Sequence, residues 1–405
     1  MRNLSELLRN NDVTTVRNYL LWRYVIDAAK TLDDRFEAIR QELGQVLQGR
    51  KKQPPKWRDC TMLTVSHLRF STGYLYVKAH FDATGKEEAE SLLDNLLVAF
   101  KELVDESDWM DERTKETAID KANAMRRMMG YEQWQVDETA LDAYYKDLSY
   151  ADTALDFFDI NVETNRWFLR NELLKLTKPF NKLDSDTSPA VVNAFYSPEK
   201  NAIAFPAGIL QPPFFSGNYP KMINYGSIGS VIGHEITHGF DDQGKEHDKD
   251  GNLNSWWNNA SLHAFNARRE CIVKQYDAYP VPKAEHMTLN GALTQGENIA
   301  DNGGVKEAFR AYKSYVAANG VEPKLPGLQE YSNEQLFFLS YANFWCGDRS
   351  RQASIFQAKS DEHSPEVYRV LGVLSNLDDF SATFNCPLGS NMNPHKTDHT
   401  KCTVW

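Results

Sequence analysis

His234, Glu235 and His238 stand in the run Gly233-His-Glu-Ile-Thr-His-Gly239 and spell His-Glu-x-x-His. On a helix, residues at i and i+4 leave the same face, so both imidazoles can share one tetrahedral Zn²⁺ while Glu235 lies beside the metal's open side. That is the layout of a zinc peptidase. With 10 His among 405 residues the pattern can also arise by chance, so a third ligand matters. A catalytic zinc keeps three protein ligands and leaves the fourth position to water. Glu297 and Asp301, in Gly296-Glu-Asn-Ile-Ala-Asp-Asn-Gly-Gly304, fall at i and i+4 on one helical face. They suit a ligand plus a partner that orients a ligand histidine. Without the first motif the same pair would read as a solvated acidic face.

These residues need rigid elements behind them. Gly226, Gly229 and Gly233 precede or enter the motif helix at i, i+3 and i+7. They cost helix propensity but allow close packing, which points to a buried active-site helix. Upstream, the first third reads as helices: a long amphipathic stretch from Thr14 to Leu47, then one carrying Ala89, Leu93, Leu96, Leu97, Phe100 and Val104 at helical spacing. A third runs from Asp111 to Met129, with Gly130 placed to end it. Residues from Gln133 to about Ser188 read as a connection with short helices. Ala190-Val-Val-Asn-Ala-Phe-Tyr-Ser-Pro198 is a β-prone run stopped by proline. As an edge strand it can pair with an extended peptide, Asn193 bonding the peptide backbone and Ala194 allowing its approach; an internal strand fits equally well. Phe205-Pro-Ala-Gly-Ile-Leu-Gln-Pro-Pro-Phe-Phe215 is an apolar, proline-stiffened loop that suits a pocket wall or plain core.

Composition limits the function classes. The chain is long enough for two domains, and 41% apolar with 25% charged residues is ordinary for a soluble globular protein. The balance of 45 basic and 56 acidic residues, net −11, argues against a nucleic-acid or anionic-membrane surface. No apolar run reaches about 18 residues, and the first ten residues lack a signal peptide's apolar core. Cys60, Cys271, Cys346, Cys386 and Cys402 are odd in number and form no Cys-x-x-Cys, against a zinc finger or a thioredoxin-type site. Asn3-Leu-Ser5 and Asn259-Ala-Ser261 are glycosylation sequons that count only on a secretory route.

The motifs in this order resemble the neprilysin-like zinc endopeptidases, peptidase family M13, the group that includes the endothelin-converting enzymes. The resemblance rests on Val192-Asn-Ala-Phe-Tyr196, the Phe205–Phe214 loop, Gly233-His-Glu-Ile-Thr-His-Gly-Phe-Asp-Asp242, Gly296-Glu-Asn-Ile-Ala-Asp-Asn-Gly303, His363-Ser-Pro365 and Cys402-Thr-Val-Trp405. It extends less densely through Trp22 and Cys60 to nearly the start.

The resemblance implies a mainly α fold with a small β-sheet: a thermolysin-like zincin (gluzincin) catalytic domain at 190–405, a remnant of a helical lid domain at 1–135, and a connecting segment at 136–189. It implies one Zn²⁺ on His234, His238 and Glu297, with Glu235 as the base, Asp301 orienting His234 and His363 stabilising the oxyanion. Arg369 would hold a substrate carbonyl, Asn193 and Ala194 the peptide backbone. Ile209, Phe214, Val231 and Trp345 would line the pocket for a large apolar residue just after the cleaved bond. Short peptides would be the partners and nucleic acid would not. The location implied is the cell exterior, as the ectodomain of a type II membrane protein whose anchor belongs to a full-length form. Cys271 and Cys402 would pair with each other, while Cys60, Cys346 and Cys386 match positions bridged to a part of the family ectodomain that this chain does not include. That departure leaves two readings open: an active endopeptidase, or a truncated form that binds zinc and peptides with weak turnover.

Overall fold

The computed structural model describes residues 2–81, 83–150, 156–182, 187–397 and 400–405. In chain order its helices are α1 (Arg2–Asn10), α2 (Val13–Ala28), α3 (Asp34–Gln48), α4 (Lys56–His67), α5 (Arg69–His80), α6 (Ala83–Glu106), α7 (Glu112–Asn123), α8 (Glu138–Tyr145), α9 (Phe157–Lys175), α10 (Lys221–Asn224), α11 (Ser230–His238), α12 (Asn259–Asp277), α13 (Gln295–Asn319), α14 (Asn333–Phe344), α15 (Arg351–Ser360), α16 (Glu366–Asn376) and α17 (Asp378–Thr383). The strands are β1 (Arg126–Gly130), β2 (Phe195–Ser197), β3 (Ala202–Pro206), β4 (Pro280–Val281) and β5 (Ala284–Thr288). The protein is mainly α with small sheets, as the resemblance implies.

The chain divides into two compact units, Met1–Leu63 with Asp142–Asn181 and Thr64–Leu141 with Lys182–Trp405. The second unit therefore takes in residues 64–135, which the expected segmentation assigns to a lid remnant. The first unit is helical and buries little apolar surface: Trp167 on α9 is buried, but Tyr19, Leu20, Leu21, Trp22, Tyr24 and Val25 of α2 are exposed.

In the second unit a sheet of order β1-β3-β2 lies beside the helices, β1 parallel and β2 antiparallel to β3. Met129 of β1 pairs with Phe205 of β3, and both are buried. The stripe expected from sequence on α6, Ala89, Leu93, Leu96, Leu97, Phe100 and Val104, is buried throughout and joins one core with Ile232 and Ile236 of α11 and Ile299 and Val305 of α13. α11 and α13 approach so closely that a Cβ on Gly233 would lie 2.6 Å from the Gly304 carbonyl oxygen, and one on Gly304 would lie 2.4 Å from the His234 backbone nitrogen. This contact brings the two candidate metal-binding motifs face to face. Gly226 likewise meets the Phe337 carbonyl of α14. A disulfide joins Cys271 on α12 to Cys402, and Cys60, Cys346 and Cys386 are thiols.

Four expectations need correction. The stretch Thr14–Leu47 is two helices, because Asp33 accepts the Arg35 amide and caps a new start for α3. The helix expected over Asp111–Met129 ends at Asn123, and Arg126–Gly130 is recruited as β1 because pairing with β3 overrides local propensity. The expected connection at Gln133–Ser188 holds a helix of 19 residues, α9, capped by Asp156; its residues 151–155 and 183–186 lie outside the described residues. The β-prone run at Ala190–Ser197 is a strand only from Phe195, so Asn193 and Ala194 precede the edge strand β2 rather than belong to it.

Candidate metal centre and active site

α11 delivers His234 and His238 from successive turns, and α13 delivers Glu297 and Asp301 from the opposite side. The His238 Nε2 lies 2.9 Å from the His234 Nε2. Glu297 lies 3.2 Å from His234 Nε2 through Oε2 and 3.5 Å from His238 Nε2 through Oε1. Among the described residues these three form a group whose ligand atoms all lie within 4.8 Å of one another.

Each imidazole is held from behind. His234 Nδ1 is 2.8 Å from Asp301 Oδ1, and His238 Nδ1 is 2.7 Å from Asp241 Oδ2. A carboxylate on Nδ1 selects the tautomer with its proton there and leaves a lone pair on Nε2. Two lone pairs facing each other, with Glu297 beside them, form a donor set that a cation satisfies, and a His₂Glu set is a zinc set. The residues fit the metal. The surroundings are anionic: burial opposes a charge on His238, yet Asp241 and Glu297 outweigh it and raise its pKa well above the ordinary value, so the site favours positive charge there, and a cation on Nε2 would take the place of a proton. Burial likewise opposes ionisation of Glu297, but the hydrogen bonds of His234 and His238 prevail and hold it well below the carboxylate range.

Glu235 is buried beside the two histidines. Burial pushes its pKa up, against the pull of His234 and His238, which suits a carboxylate that must accept a proton. His363, from the loop before α16, places Nε2 3.3 Å from Glu297 Oε2 and is steadied by Asp361 at 2.8 Å from Nδ1. The buried Arg369 donates twice to Asp301, Nε to Oδ2 and Nη2 to Oδ1, each at 2.7 Å. Its guanidinium lies 4.0 Å from the centre of the Trp345 ring, and its carbonyl accepts from the Tyr341 hydroxyl. Burial opposes ionisation of Asp301, and Arg369 with His234 outweighs it, so that its pKa is lowered.

These groups line a cavity of about 740 Å³. Its walls include Asn193, Ala194, Ile209, Phe214, Val231 and Trp345, so the candidate metal, catalytic and substrate residues named from the sequence all line one cavity. Asn193 is exposed and its Oδ1 accepts the Ala194 amide. Sequence reasoning missed Asp241, Asp361 and Tyr341. Asp241 carried a signal, an acid at i+3 from His238 in the same short motif.

The fold is that of a thermolysin-like zincin, and the grouped side chains offer a His₂Glu donor set. The model of peptidase family M13 matches residues 193–400, and its amino-terminal model matches residues 1–132. Neprilysin-11 of Caenorhabditis elegans is 53% identical over 405 residues, covering 100% of this chain and 47% of that protein. Mouse endothelin-converting enzyme 1 is 42% identical over 411 residues, covering 100% of this chain and 52% of its own length. Among solved structures, the Mycobacterium tuberculosis zinc metalloprotease ZMP1 in complex with inhibitor superposes with a TM-score of 0.83 at 31% identity, covering 98% of this chain and 59% of that one. The chain belongs to peptidase family M13, and it spans about half the length of the curated relatives it matches.

Proposed function

We propose that the protein is a zinc-dependent endopeptidase that hydrolyses short peptides on the amino side of large apolar residues. The observation that carries this reading is the facing pair of histidine Nε2 atoms with Glu297 beside them and Glu235 buried next to them. His234, His238 and Glu297 would hold one Zn²⁺. When bound, the ion supplies a Lewis acid that lowers the pKa of water toward about 7 and polarises a carbonyl. Glu235 takes the proton of the attacking water and returns it to the leaving amine. His363, steadied by Asp361, donates to the oxygen that gains charge, and Arg369, fixed by Asp301 and Trp345, reaches a substrate carbonyl. Asn193 and Ala194, next to the edge strand β2, meet the peptide backbone. Ile209, Phe214, Val231 and Trp345, apolar lining residues of the cavity, would receive the side chain after the cleaved bond. An extracellular setting is supported by the Cys271–Cys402 disulfide and by relatives of the neprilysin type.

A second reading, zinc and peptide binding with little turnover, is favoured by the apolar side chains that α2 leaves exposed. Turnover separates the two. The parent chain should cleave a model peptide before Phe or Leu, and Glu235→Gln should keep its zinc while losing at least ~10²-fold in rate. Parent-level cleavage by that variant would remove Glu235 from the role of base. Stoichiometric zinc without cleavage by the parent would favour the second reading.

A further inference from the structure

Lys121 is fully buried, and its surroundings are unusual for a lysine. It lies on the inward face of α7 with Thr114, Ala118 and Ala122. Its Nζ donates to three backbone carbonyls, those of Gly239, Gly244 and His247, each at 2.7 Å. All three belong to the loop that follows the metal-motif helix α11. The ring of Phe240 in the same loop lies 5.3 Å from the ammonium.

That loop is folded tightly onto the helix end. A Cβ on Gly244 would sit 1.9 Å from the His238 carbonyl oxygen, so the chain returns against the last residue of the motif. Within the loop, Asp241 Oδ1 accepts the amides of Gln243 and Gly244 at 2.8 and 2.6 Å, while Oδ2 faces His238 Nδ1 at 2.7 Å. The carbonyls of Gly239, Gly244 and His247 turn inward, and a single group with three diverging donors bridges them, beside the His247 amide on the Gly244 carbonyl and the Trp256 indole on the His247 carbonyl. The backbone of Lys121 is itself fixed, since Asn201 Nδ2 donates to its carbonyl and to that of Lys249.

We propose that Lys121 is a positioning residue for the metal centre: its ammonium gathers the 239–247 loop and so sets Asp241 behind His238. The inference rests on the zinc reading of the site and deepens it. Lys121 touches neither metal nor substrate. Burial drives its pKa down to about 7 against Asp241 and Asp248, yet three carbonyls accepting from one nitrogen need all three protons of the charged form. Removing the donors takes the ammonium from the Gly239 carbonyl and one of two donors from the Gly244 and His247 carbonyls, which keep the His247 amide and the Trp256 indole. The loop relieves the loss at Gly239 by turning that carbonyl toward water, which moves Asp241.

The test is a double-mutant cycle on zinc affinity of the full chain, measured at pH 7 by competition with a chelator. Lys121→Met and Asp241→Asn should each weaken zinc roughly 10- to 100-fold, and together no more than about the worse of the two, because both act on His238. Lys121→Met combined with Asp301→Asn, which acts on His234, should instead lose the product of the two factors. The Co²⁺ absorption spectrum should change in the same way for Lys121→Met and Asp241→Asn. Folding is read separately on metal-free protein by circular dichroism and urea denaturation. If Lys121→Met does not fold, the cycle is run with Lys121→Arg, whose planar fork keeps the charge but spreads its donors. Unchanged zinc affinity, multiplicative losses of Lys121 and Asp241, or loss of the metal-free fold in both variants would overturn the positioning role. A parent chain that takes up no zinc would instead overturn the reading on which the inference rests.

Discussion

His234 and His238 turn their Nε2 atoms toward each other across 2.9 Å, and each ring is braced from behind by its own aspartate, Asp301 and Asp241. The two braces differ in kind. Asp301 sits on a helix and is itself held by both arms of Arg369, whereas Asp241 sits in a loop whose shape depends on buried polar contacts.

Asp301→Asn keeps the shape of the brace but loses the charge that favours a proton on His234 Nδ1, and it leaves the Arg369 guanidinium with Glu297, 3.7 Å away, in place of its hydrogen-bonded carboxylate. Zinc affinity should fall roughly 10- to 100-fold. Chelator competition checks this, and an affinity within twofold of the parent would show that His234 needs no brace.

Gly304→Ala places a methyl group 2.4 Å from the His234 backbone nitrogen, where no side chain can yield. α11 and α13 must separate, at a cost of about 1 to 3 kcal/mol or more, and zinc binding should weaken with stability because the ligands sit on both helices. Urea denaturation of metal-free protein gives the first, chelator competition the second.

Asp242 carries a pH dependence of unusual sign. Burial, helped by the neighbouring Asp241, raises its pKa to about 6. The folded state thus binds more protons than the unfolded state between about pH 4 and 6, so this group's contribution is most favourable at acid pH and is lost as pH rises through 6. Asp242→Asn should therefore stabilise metal-free protein at pH 7 by about 1 to 2 kcal/mol, a figure reduced for the partial exposure of the group, and by nothing at pH 4. Equal urea midpoints at pH 7 would contradict the assignment.

Most of the site was legible in the sequence because its ligands recur at helical spacing. The i, i+4 pairs His234 and His238, and Glu297 and Asp301, needed only the knowledge that each lies on a helix. The glycines before the motif announced the close helix contact that Gly233 and Gly304 make. What escaped depends on tertiary placement. Local composition at Arg126–Gly130 favoured prolonging a helix, and only pairing with Ala202–Pro206 makes it a strand. α9 was hidden by weak periodicity, since its buried side chains are Asn161, Thr164 and Trp167 rather than an aliphatic stripe. Lys121 stands among Thr114, Ala118 and Ala122 on an inward face, a lysine at a core position, but its three acceptors come from residues more than a hundred positions away and no local pattern reveals them.

The disulfide closes a long loop, with 131 residues separating Cys271 from Cys402. Cys402→Ser should lower stability by about 3 to 5 kcal/mol on chain-entropy grounds. Peptide mapping of the oxidised protein should recover this bridge, and a homogeneous bridge between any two of Cys60, Cys346 and Cys386 would contradict the thiol state of those three.

The most direct test of the zinc-site account is metal analysis of the purified chain beside its Glu297→Ala variant. The account predicts one zinc per parent chain and a collapse of stoichiometric binding in the variant, because a His₂Glu centre loses one of three protein ligands. Undiminished, stoichiometric zinc in Glu297→Ala would contradict it.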